Sequence, residues 1–84
     1  MANYIDVNNA RAISYNDMTE VKKVELILSG CERKHTAYCK GYVRANSFKI
    51  SAYSGRYGTG YRVFNHNSKS STYCFVTYYI KEEA

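Results

Sequence analysis

The chain is 84 residues long, 45% hydrophobic and 15% aromatic, with twelve Lys and Arg against seven Asp and Glu, for a formal charge of +5. That composition is too apolar for a disordered tail, and the length makes one domain whose core is small enough for a partner or a second copy to add to its stability. No apolar run approaches the ~20 residues that cross a bilayer, and Met1 to Asp6 lacks the charged start and apolar stretch of a secretory signal; a cytoplasmic protein without membrane association is expected.

Residues 1 to 16 show no clean period, and a short helix starting after Asp6 is the reading there. Glu20 to Ser29 fits two templates. Val24, Leu26 and Leu28 alternate as in a strand, whereas Asp17-x-x-Glu20 and Gly30 bracket a helix; the alternation favours the strand. From His35 to Arg44, small apolar Ala37, Cys39, Gly41 and Val43 alternate with Tyr38, Lys40, Tyr42 and Arg44. From Ser47 to Ser54, Phe48, Ile50 and Ala52 alternate with Lys49, Ser51 and Tyr53. A tight connection at Ala45-Asn46 makes these two a hairpin, in its four-residue form because Ala disfavours positive φ. Its register sets Val43, Gly41 and Cys39 opposite Phe48, Ile50 and Ala52, and sets Tyr42, Lys40 and Tyr38 opposite Lys49, Ser51 and Tyr53. Ser54 to Gly60 reads as a Gly-rich loop and Tyr61 to Phe64 as a short strand. Ser71 to Lys81, apolar on both sides, reads as a central strand. The predicted fold is mainly β, a small antiparallel sheet or barrel of four to five strands with one short N-terminal helix; an α+β arrangement is the alternative.

Charge is distributed unevenly. Between Arg33 and Lys81 there is no Asp or Glu, yet that stretch holds nine of the twelve cations and eight of the ten tyrosines. A single-sign field of that density repels itself and suits an anionic partner, a nucleic-acid backbone above all. The predicted hairpin gathers Tyr38, Lys40, Tyr42, Arg44, Lys49 and Tyr53 on one face, where bases can stack while cations hold phosphates. Burial of that face is disfavoured because Lys and Arg would need acids, and none is near in sequence. The loop adds Arg56, Tyr57, Tyr61 and Arg62, with glycines that admit close backbone approach. Gly55-Arg56-Tyr57-Gly58 has the GXXG form of KH domains, but there the turn joins helices and here both flanks read as strand. Lys40-Gly41-Tyr42 resembles the opening of the RNA-contacting strand of RRM and cold-shock domains, whose following aromatic positions are Val43 and Arg44 in this chain. Gly60-Tyr61-Arg62-Val63 resembles the core strand of RelE-type mRNA-cleaving toxins over those four residues, without the N-terminal helical pair of that family.

Cys31, Cys39 and Cys74 have no disulfide-framework spacing and read as thiols in a reducing compartment. Cys31, His35 and Cys39 recur at every fourth position, but no C-x-x-C element accompanies them and no metal or other cofactor is expected. Metal-dependent nuclease chemistry is disfavoured by the missing carboxylates. Non-enzymatic binding of single-stranded nucleic acid or RNA is therefore the leading expectation. The alternative is a protein-interaction module, such as a small phage or mobile-element inhibitor docking on an acidic surface of a host enzyme. The third is a metal-free ribonuclease built on His66, Arg56, Arg62 and a tyrosine.

Overall fold

The computed structural model of the chain describes residues 10–40, 43–44, 46–66 and 73–82. In chain order these form β1 (Arg11–Ser14), α1 (Met18–Ser29), β2 (Cys31–Lys40), β3 (Ser47–Gly55), β4 (Gly58–His66) and β5 (Tyr73–Lys81). The strands make one antiparallel five-stranded sheet in the order β1-β3-β4-β5-β2. β1 and β2 are its edges, so the sheet is open and not a closed barrel.

β5 lies between β4 and β2, as its two apolar faces require. Cys74, Val76, Tyr78 and Ile80 are buried on one side; on the other, Thr77 is buried while Phe75 and Tyr79 are half-buried. Two apolar clusters result, one on each face. Val24 of α1 seals Ile13, Phe48, Ile50 and Val63 on what is here called the helix face. Cys39, Val43, Phe64, Cys74, Val76 and Tyr78 form the other cluster, on the far face.

The segment expected as a strand between Glu20 and Ser29 is the helix α1. Val21, Val24 and Leu28 pack into the apolar cluster on the sheet, a helical stripe, whereas Leu26, which completed the apparent alternation, is 77% exposed. Local chemistry decides in the same direction. The Asp17 carboxylate accepts from the Glu20 backbone N–H at 3.2 Å, and the Gly30 N–H returns to the Ile27 carbonyl at 3.3 Å, so both helix ends have partners. The first turn is tied to β1 by Arg11 and Glu20 at 2.6 Å, an ion pair that also holds the Glu20 carboxyl below its usual range. The helix expected after Asp6 is not found where it can be compared. Arg11–Ser14 is a strand, and residues 7–9 lie outside the described residues.

The hairpin expected between the segments 35–44 and 47–54 does not form. β2 pairs with β5, setting Tyr38 opposite Phe75 and Cys39 opposite Cys74, and β3 pairs with β1 and β4. Competition for β5 explains this. A strand apolar on both faces needs a neighbour on each edge, and β2, with Glu32, Arg33 and Lys34 at one end and a register shift between Arg33 and His35, is suited to the outside of a sheet. β3 instead takes the most local partner available. Gly55 pairs with Gly58 across a turn of Arg56 and Tyr57, so the expected Ser54–Gly60 loop is mostly strand. Positive φ falls on Gly58, at +123°, the residue after the turn, where an L side chain would be strained. β1 covers only Ser47 to Ile50 of β3, and the outer side of Ser51 to Gly55 has no strand beside it among the described residues.

Cys39 and Cys74 face one another across β2 and β5, Cα to Cα 5.5 Å, and are joined as a disulfide; only Cys31 is a free thiol. The expectation of three thiols is thus corrected, because strand pairing brings together cysteines that lie 35 residues apart in sequence.

Two stability measurements test this fold. Asp17→Ala should cost about 1 kcal/mol in a urea unfolding curve through loss of the helix cap. Reduction of Cys39–Cys74 should cost about 4 kcal/mol, the loop-closure value for a link of that span, read as a lower unfolding midpoint in dithiothreitol with the strand signal in circular dichroism retained at zero urea.

Candidate nucleic-acid interface

Alternation fixes which side chains share a face once the register is known. On the far face, Ser51, Arg62, Tyr78 and His35 follow one another across β3, β4, β5 and β2. Tyr53, Gly60, Ile80 and Glu32 make the next rung towards the β3–β4 turn, and Lys49, Phe64, Val76 and Ala37 the rung on the opposite side. The Phe64 rung and the disulfide beyond it are buried in one cluster with Val43, and Ala10 packs against it. The rungs nearer the turn carry Tyr53, Tyr78, His35 and the Arg62 guanidinium instead, with the Glu32 carboxylate at the β2 edge.

Rings and guanidinium groups meet there. Tyr53 reaches over Gly60, which offers no side chain, to place its ring 4.8 Å from that of Tyr78. A Cβ on Gly60 would collide with the Tyr79 carbonyl oxygen and stand 2.9 Å from the Ile80 Cα, so strand pairing and ring contact both depend on glycine here. Tyr57 lies 5.0 Å from Tyr78, and His35 stacks on Tyr57 at 5.0 Å with planes 18° apart. The Tyr57 backbone N–H donates to the Tyr53 hydroxyl at 3.2 Å, fixing the turn against the ring below it. Arg62 sits between the Tyr53 and Phe64 rings, its Cζ 5.7 and 5.8 Å from their centroids, and Arg56 lies 6.0 Å from the Tyr57 ring centre.

Of the residues singled out in the sequence, Tyr53, Arg56, Tyr57 and Arg62 therefore come together. Lys49 is on the same face but towards β1, in a groove with Ala12, Ser14, Arg44 and Ser47. Tyr38 and Tyr61 are on the helix face, Tyr38 against Phe75 and Tyr61 beneath the Lys81 ammonium, so they do not join the Tyr53 cluster. The expected single face fails because it rested on pairing β2 with β3. Tyr42 and the Lys40 side chain lie outside the described residues. Sequence reasoning missed His35 and Tyr78, which enter only through the β2–β5 register. His66, the imidazole of the ribonuclease expectation, stands opposite Cys74, four residues from Arg62 and about 13 Å along the strand. Cys31, His35 and Cys39 are spread along one strand, and among the described residues no three His, Cys, Asp or Glu side chains gather as a metal set.

Carboxylates lie at one margin of this cluster, where Glu32 and Glu82 line a groove with Tyr57, Lys34 and Lys81. Among the described residues Glu20 pairs with Arg11 and Lys23, and Glu32 with Lys34, while Arg44, Arg56 and Arg62 make no ion pair. Unpaired guanidinium beside open ring surfaces is the combination that binds phosphates and stacks bases. No family model, curated protein or solved structure matches this chain. No helix among the described residues is long and apolar enough to cross a membrane.

Burial raises the Tyr78 hydroxyl above its ordinary value of 10.0, with the neighbouring Tyr53 and Tyr57 adding to the rise and Arg62 opposing it. A raised value in the folded state means that the stability from the neutral phenol is complete below pH 10 and is lost as pH rises through the folded value. In alkaline titration followed by tyrosinate absorbance, Tyr78→Phe should remove a late-ionising component, and its unfolding midpoint should fall less than that of the unmodified protein between pH 9 and pH 11.

Proposed function

We propose that the chain binds single-stranded nucleic acid, RNA foremost, without catalysing a reaction, through the Tyr53, Tyr57, Arg56 and Arg62 end of the far face, extended by His35. The observation that carries this reading is the convergence of stacked rings with guanidinium groups that have no carboxylate partner among the described residues. Stacking surfaces are tolerant of base identity, and cations that track a backbone read no sequence, so broad specificity and strong salt dependence go together. Lys49 and Arg44, in their groove on the β1 side, offer a continuation for the strand. The cytoplasm is the compartment this reading implies. Burial of Cys39 and Cys74, at 2% and 0% exposure, would slow reduction of the disulfide by thiols there.

A second reading, docking on a protein in the manner of a small phage or mobile-element inhibitor, draws on α1. Its outer side presents Met18, Leu26 and Ile27, exposed by 57%, 77% and 42%, an apolar group of the kind that marks protein contacts when it is contiguous.

Filter binding of a fluorescent uridylate decamer across a salt series separates the two contributions to the leading reading. Arg56→Gln should weaken binding and lower the slope of log K against log salt by about 0.7. Tyr57→Leu should weaken binding by about 1 to 3 kcal/mol with the slope unchanged. Absence of binding at low salt would rule out the leading reading, and retention of a partner from nuclease-treated lysate would then favour the second.

A further inference from the structure

We infer that Ser51 and Arg62 form a subsite for one phosphodiester group, the point at which a bound strand is anchored. The inference rests on the nucleic-acid reading above. Ser51 and Arg62 are register partners on β3 and β4 and project from the same far face. The Arg62 Nε and the Ser51 Oγ are both buried, and neither makes a hydrogen bond within the protein. Buried donors without acceptors are costly, and two of them side by side across one strand pair make a site that an oxyanion would satisfy.

Its chemistry favours phosphate. Tyr53 and Phe64 flank the guanidinium at 5.7 and 5.8 Å, which fixes its position and strips water from it without neutralising it. Among the described residues Arg62 makes no ion pair, and the nearest rung carrying an acid holds Glu32, which is paired with Lys34 at 3.4 Å. The Nε–H and Nη–H edge suits two oxygens of one group, and the Ser51 hydroxyl supplies a third donor. A carboxylate offers two oxygens in one plane; a phosphodiester offers two non-bridging oxygens that share one negative charge and two esterified ones, set tetrahedrally, so a donor outside the guanidinium plane can also be met. Tyr57, in the β3–β4 turn, lies against Tyr78 of the neighbouring strand β5, and His35 is two strands away on β2, both placed to receive the base next to the seated phosphate. Arg62 is thereby distinguished from Arg56, whose contact with the strand is a surface charge at the turn.

The test is an NMR titration of the 15N-labelled full chain with a uridylate decamer, observing arginine Nε–H resonances and assigning Arg62 by its loss in Arg62→Lys. The Arg62 Nε–H should shift on binding, and Arg62→Lys, which keeps the charge but lacks the fork, should bind about tenfold more weakly. Arg33→Lys, on the helix face, should bind as the unmodified protein does. If Arg62→Lys does not fold, as judged by its thermal melt, the shift in the unmodified protein decides, with the resonance assigned through backbone connectivity. A decamer that binds while the Arg62 Nε–H stays unmoved, or that binds Arg62→Lys equally well, overturns the subsite and leaves the nucleic-acid reading standing. An oligoglutamate peptide that moves the resonance as far as the decamer overturns the phosphodiester assignment in favour of carboxylate. No binding of the decamer at low salt overturns the subsite together with the reading on which it rests.

Discussion

A strand that is apolar on both faces cannot lie at the edge of a sheet or on its surface, and β5 imposes that condition on everything around it. It must have a strand on each side, and β4 and β2 take those places. It must also have cover above and below. α1 and its contacts close part of one face, and the cluster around Phe64 and Val43 closes part of the other. Once β2 is drawn to β5, His35 falls beside Tyr78 and Cys39 beside Cys74, so both the aromatic cluster and the disulfide descend from one burial requirement.

The chain's elements were legible in the sequence to the extent that their signals were local. The alternation of Phe48, Ile50 and Ala52 located β3, and the double apolar pattern of residues 71 to 81 located β5 and its central place. Tyr53, Arg56, Tyr57 and Arg62 were found for the same reason, since a tight turn keeps neighbours in sequence near in space. Partner choice was not local. Nothing between Ala45 and Ser47 records that the chain crosses from the β2 edge to the other side of the sheet, and so Tyr38 was assigned to the wrong face. At α1 the two templates overlapped on Val24 and Leu28, and the capping chemistry of Asp17 and Gly30 decided between them.

The acid-free stretch acquires a different meaning when folded. Its cations do not line one continuous face. Arg33 and Lys81 belong to the helix face, Lys49 and Arg44 to a groove near β1, and Arg62 and Arg56 to the aromatic end. On the proposed reading, charge density would supply long-range attraction from several directions, and the rings would hold the ligand by short-range stacking where they are concentrated. These are separable properties, one sensitive to salt and one not.

The strand that carries Tyr53 is supported unequally along its length. β1 stops at the partner of Ile50, and from Ser51 to Gly55 the backbone is held by β4 alone. Outward-facing amides in that half of β3 exchange with solvent without the sheet having to open, so this corner sits at the low end of the molecule's local stability while Phe64 and β5 sit at the high end. The ring cluster therefore stands on the least supported corner of the sheet, where the Tyr57 N–H to Tyr53 hydroxyl bond ties the turn to its strand. If a nucleic acid binds there as proposed, Tyr53 and Tyr57 would move to meet it as one unit while the core stays in place.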